Sequence, residues 1–215
     1  MAGFGPADIG AVLSGLGALA QAAAIGCAAW MASNTFEGWR RQKLSERRIE
    51  QAERILTATY KVRRGLSLIR NPAMWGHELA AAEEKLKADG QWPLGQHDQS
   101  RLTTQQAYYN RLNATREDRV ALEQCQPMAR ALFGEQLEIA LETLNRQAHT
   151  VRVYVDSAAR ARDRMSPEHR EKIDAAIFEG WPKGDDGPNE MDEIIAAQVK
   201  LIEDSLVPVL RLETK

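Results

Sequence analysis

Ile9 to Met31 reads IGAVLSGLGALAQAAAIGCAAWM, and the charge-free stretch around it runs from the residue after Asp8 to the residue before Glu37. A bilayer core of about 30 Å requires about 20 apolar residues in a helix, so this run has the length to span one with some tilt. Its large apolar side chains are Ile9, Val12, Leu13, Leu16, Leu19, Ile25, Trp30 and Met31; the rest is mostly Ala and Gly, interrupted by Ser14 and Gln21. Small residues recur every four positions at Gly10, Ser14, Ala18, Ala22 and Gly26, which gives one helix face that lets two backbones approach closely. Gln21 adds a side chain able to hydrogen-bond across such a contact. Self-association through Gly10, Ser14, Ala18, Gln21, Ala22 and Gly26 is the expectation.

The flanks give the run a direction. Residues 1 to 8 hold no Lys or Arg, unlike the charged start of a cleaved signal peptide. On the other side, Trp30, Phe36 and Trp39 supply an aromatic interface anchor, followed by Arg40, Arg41, Lys43, Arg47 and Arg48. A positive cluster after an apolar run places the C-terminal side in the cytoplasm. Trp30, Phe36, Trp39, Arg40, Arg41 and Lys43 are therefore the expected membrane-interface residues, with anionic lipid headgroups as possible contacts of the basic cluster. The competing reading buries the same run inside a soluble helical oligomer, since apolarity alone does not separate a span from a core helix.

Beyond residue 36 the chain is polar, with 27 % charged residues overall and a formal net charge of −2. That charge is unevenly laid out. Residues 40 to 70 carry ten basic residues against three acids, and residues 183 to 215 carry eight acids against four bases. Apolar residues Leu44, Ile49, Ala52, Ile55, Leu56, Val62, Leu66 and Ile69 follow helical spacing and predict a stem helix that ends at Asn71-Pro72. A short helix is expected over 78 to 88, then a polar connection containing Trp92, then a helix from Arg101 to about Gln124 that Pro127 breaks. Leu137, Leu141, Leu144, Ala148, Val151 and Val155 alternate by four and three, a seam suited to bundle packing. Ser166-Pro167-Glu168 starts another helix, Gly180 closes it, and a last helix opens at Asn189.

Nothing alternates apolar and polar long enough for a sheet, so the fold class is all-α. The expected organisation is a transmembrane anchor over 1–33, a basic stem helix over 34–71, a short helix and polar loop over 72–100, and an antiparallel helical bundle over 101–215 that the stem completes. The acidic C-terminal region is expected to lie near the basic stem.

Catalytic and metal signals are sparse. The four histidines, His77, His97, His149 and His169, include no pair three or four apart, and the two cysteines, Cys27 and Cys125, lie in dissimilar surroundings. No phosphate loop, nucleophile elbow or Cys-His pair is present, and neither a metal nor a cofactor is expected. Arg70-Asn71 leads to His77, and Arg162-Asp163 to His169, with six residues between Arg and His in each case. This arrangement resembles the loose signature of HEPN ribonucleases, which are all-α. The resemblance implies an Arg stabilising developing charge and a His in acid-base chemistry on an RNA phosphodiester. Here Pro72 and Pro167 interrupt the two gaps, a departure from a helical Arg-to-His register.

The leading expectation is a non-enzymatic scaffold or interaction protein anchored in the membrane, homo-oligomeric and holding an unidentified protein partner. Nucleic acid is disfavoured by the acidic balance and by the lack of aromatics among the basic residues.

Overall fold

The computed structural model describes residues 6–161, 165–181 and 189–211, except for the side chains of 6–20, 22 and 161. Among the described residues there are seven α-helices and no strand, in agreement with the all-α class. They are α1 (Pro6–Arg70), α2 (Gly76–Ala88), α3 (Gln96–Ala114), α4 (Arg116–Phe133), α5 (Glu135–Ala161), α6 (Pro167–Ile177) and α7 (Glu190–Leu210). The chain divides into two compact units, 1–48 and 49–215, with the boundary inside α1.

Unit 49–215 is a helical bundle with α5 at its centre, packed against α3, α4, α6 and α7. The seam on α5 is buried along its length: Leu137, Leu141, Leu144, Ala148, Val151 and Val155 are at most 3 % exposed. The end of α1 joins the same core through Ala52, Ile55, Leu56, Val62, Leu66 and Ile69, all buried. Leu44 and Ile49, part of the same periodic pattern, stay outside that core. The acidic α7 does meet the stem, since Tyr60 donates to Glu203 at 2.8 Å and Arg70 pairs with Asp192.

Arg70, at the last position of α1, is the polar centre of this core. Its side chain is 1 % exposed, and it donates to the carbonyls of Ala176 (3.0 Å), Ala175 (3.0 Å) and Phe178 (3.1 Å), as well as to Asn189 and Asp192. The carbonyls at a helix C-terminus have no partner within the helix, and the dipole there favours a cation. Arg70 supplies both needs for α6. Asn189 acts on the same spot: it accepts from the backbone of Met191 and Asp192 as the N-cap of α7, and its amide donates to Ala175 and Phe178. Asp192 accepts from Gly180 N–H at 2.8 Å, and Glu179 N–H returns to the Arg70 carbonyl at 2.9 Å. One guanidinium thus joins the end of α1, the end of α6 and the start of α7.

Two expected boundaries move. The helix expected over 101 to 124 is divided at Thr115, and Pro127 lies inside α4 instead of breaking it. Thr115 is buried, its hydroxyl bonds the carbonyls of Arg111 and Leu112 at the end of α3, and its methyl packs on Gly65 of α1. A Cβ at Gly65 would stand 3.0 Å from that methyl, so glycine is what allows the approach. Pro127 costs α4 one backbone hydrogen bond, but Leu122, Cys125 and Ala129 bury the helix on both sides of it, and packing overrides the local preference. The true end of α4 is Gly134, at φ +105°.

The sequence expectation of an N-terminal span is not supported at this level: among the described residues no helix is long and apolar enough to cross a membrane. Most of the apolar run, from Ile9 to Ala20, lies outside the described side chains.

Replacing Arg70 by Met keeps the length of the side chain and removes five donors, leaving Asn189, Asp192 and three carbonyls short of a partner. The expected loss is about 3 kcal/mol of stability in urea unfolding. A loss below about 1 kcal/mol, the range of exposed ion pairs, would show that the cluster is not a structural centre.

Candidate functional site

The residues expected at a membrane interface lie in the first unit, and every described side chain from residue 23 to residue 48 is exposed. Trp30 is 68 % exposed and Trp39 55 %. The rings of Phe36 and Trp39 stand 6.0 Å apart on one side of the helix. Arg41 pairs with Glu37 at 3.8 Å and Lys43 with Glu46 at 2.8 Å, whereas no ion pair involves Arg40 among the described contacts. Of the small-residue face, Gly10, Ser14, Ala18 and Ala22 fall on undescribed side chains; Gln21 is exposed, and a Cβ at Gly26 would meet nothing within 4 Å.

The Arg and His positions of the ribonuclease resemblance do not assemble. Arg70 is 1 % exposed and its guanidinium is engaged by α6 and α7, which closes it off from a phosphodiester. His77 is exposed in the first turn of α2. Arg162 lies outside the described residues. His169 is exposed, and its backbone N–H is what Ser166 caps, at 3.3 Å. The cysteines are unpaired; Cys125 is buried and its thiol faces the Ala121 carbonyl at 3.2 Å. Among the described residues no three His, Cys, Asp or Glu side chains gather as metal ligands.

A second arginine is committed in the same manner as Arg70. Arg111 on α3 is 4 % exposed and grips both oxygens of Glu78 at 2.8 Å, while donating to the carbonyls of Asn71 and Ala73 at 2.7 Å. The Asn71-Pro72 break frees those carbonyls from α1, and Arg111 takes them up. Glu78 also accepts from Trp75 N–H at 2.9 Å, closing the start of α2. The hydrogen bonds from Arg111 hold the Glu78 carboxyl well down, to about 2 from an ordinary 4.5.

Four further arginines, less fully partnered than Arg70 and Arg111, gather in one place. A groove of about 710 Å³ lies between α4 and α5, with Arg116 and Arg119 on one wall and Arg146, His149 and Arg152 on the other. Arg146 is paired with Glu142. Arg119 donates one bond, to the Leu112 carbonyl at 2.8 Å, and its Nε is buried without a partner. Desolvation, followed by the nearby charges of Arg116 and Arg152, lowers the Arg119 pKa. Arg152 lies over the Tyr109 ring, 5.8 Å from its centre. No sequence motif marks this site, although its signal is present: Arg116 and Arg119 are three apart, as are Arg146, His149 and Arg152, so each set forms a stripe on its own helix. What sequence does not give is that the two stripes face each other.

The chain matches no protein-family model, no curated protein and no solved structure.

Because the folded pKa of Glu78 is below its unfolded value, its contribution to stability is complete above about pH 4.5 and is lost as the pH falls toward 2. Thermal unfolding followed from about pH 6 to about pH 3 is expected to fall more steeply for the wild type than for Glu78→Gln. Parallel curves for the two would show that the Arg111 contact does not hold the carboxylate in its charged form.

Proposed function

We propose that this chain is a non-enzymatic helical interaction module, tethered to a membrane by its N-terminal segment, with residues 49–215 on the cytoplasmic side and self-association through the tether. The observation that carries the reading is the unbroken exposure of side chains over 23–48, with Ile25, Trp30, Met31, Phe36 and Trp39 among them. Apolar surface in water costs about 25 cal/mol for each Å², so a concentration of such side chains on one helix favours an apolar surrounding. The charge-free run from residue 9 to residue 36 supplies the remaining length, and the aromatic pair Phe36 and Trp39 followed by Arg40 and Arg41 suits the headgroup level of the inner leaflet. The scaffold role is favoured over catalysis by the use of Arg70 as a structural tie.

Alkaline carbonate extraction of membranes from cells expressing the full chain tests the tether: the protein is expected in the pellet, and its recovery in the supernatant would refute the reading. Self-association is tested by crosslinking in those membranes. Gly26→Leu adds a side chain where the protomer has open space, so the bundle is left intact, while a close backbone contact between copies would be forced apart. Gly26→Leu and Gln21→Leu are expected to reduce the crosslinked dimer several-fold, and an unchanged distribution in both would remove the small-residue face from the account.

A further inference from the structure

We propose that the groove between α4 and α5 is a binding site for a multiply charged phosphate, of the phosphomonoester or pyrophosphate kind, held by Arg116, Arg119 and Arg152 with His149 beside them. The inference is independent of the membrane tether.

The arrangement is costly. Arg116, Arg119 and Arg152 come from two helices and converge on one groove, where like charges repel and burial penalises the charge of Arg119 further. Exposed arginines ordinarily spread out or pair with acids. Two glutamates line the groove, and Glu142 is already engaged by Arg146, which leaves Glu123, an exposed residue on the α4 side. The lining therefore carries four guanidiniums against two carboxylates.

Two buried polar atoms of the groove residues lack any partner: Nε of Arg119 and Oδ1 of Asn145. A buried donor without an acceptor costs about 1–3 kcal/mol, and natural cores seldom carry one without reason. An anion seated against Arg119 supplies the missing acceptor for Nε.

The donor set decides the chemistry. Guanidinium groups present planar pairs of N–H that match the oxygens of phosphate, and several of them together favour a doubly charged group over a carboxylate. The walls contrast with those of Arg70 and Arg111, whose donors end on carbonyls and carboxylates of the chain itself. The groove of about 710 Å³ is large enough for more than a single phosphate, in keeping with a pyrophosphate or an esterified one. A terminal phosphate able to carry more than one charge is offered in solution by pyrophosphate and at a membrane by the headgroup of phosphatidic acid, and the test separates the two.

The full chain, purified in a neutral detergent, is titrated with sodium pyrophosphate by calorimetry and by thermal unfolding. Binding is expected in the wild type, weakened about tenfold or more by each of Arg116→Gln and Arg152→Gln, and lost in the double variant. Arg63→Gln with Arg64→Gln removes two exposed charges on α1, away from the groove lining, and is expected to leave binding unchanged. Arg116 is exposed and no hydrogen bond is described for it, so its loss leaves the fold in place, as circular dichroism will report. Mixed micelles doped with phosphatidic acid form the second arm: groove-dependent stabilisation there without response to pyrophosphate assigns the site to a lipid phosphate. Equal loss of binding in the Arg63/Arg64 control, or no groove-dependent response in either arm, would overturn the proposal.

Discussion

The bundle depends on the buried guanidinium of Arg70. Two helix ends, the C-terminus of α6 and the N-terminus of α7, meet where their unsatisfied backbone groups would otherwise be shut away from water, and the last side chain of α1 is inserted between them. A charge so deeply buried is tolerable only with hydrogen-bond acceptors around it and a carboxylate at hand, which Asn189, Asp192 and three carbonyls provide. Apolar packing of the other helices around the α5 seam supplies the stabilising surface. It is non-directional, and it does not by itself say which helix end meets which. The directional bonds of Arg70 do.

Arg111 repeats this solution at the other end of a connection. It binds the carbonyls freed where α1 stops and fixes Glu78 at the start of α2. The two residues have in common that their charge is answered from within the fold. In the groove between α4 and α5 no ion pair answers Arg116, Arg119 or Arg152 among the described residues; Arg119 has one carbonyl and Arg152 one aromatic ring, and the arrangement costs repulsion and an orphaned Nε. Arginine identity alone does not separate these uses. The number of partners each guanidinium finds does.

How much was legible in the sequence follows from the range of the interactions concerned. Apolar spacing placed the core face of the stem and of α5, because a helical period of 3.6 maps sequence directly onto one face. Ser166 and Asn189 announced helix starts because capping acts within three residues, and the Ser166 hydroxyl does accept from His169 N–H. The break at Thr115 is invisible in the sequence because Thr115 packs on Gly65, fifty positions away on another helix, and Pro127 misleads because its local penalty is outweighed by burial of Leu122, Cys125 and Ala129. Arg70 and His77 resembled a catalytic pair for a similar reason: a spacing shows adjacency in the chain, not where a side chain ends.

The sequence by itself determined the all-α class, the buried faces, most helix starts, and a charge-free N-terminal run with a basic border, all of which rest on contacts within a few residues. Only the tertiary structure decided that Arg70 and Arg111 are structural ties and that two arginine stripes face one groove. Those outcomes depend on which helices become neighbours, and that is settled by the joint burial of faces and the pairing of helix ends over separations that run from 33 residues for Arg111 and Glu78 to 122 for Arg70 and Asp192.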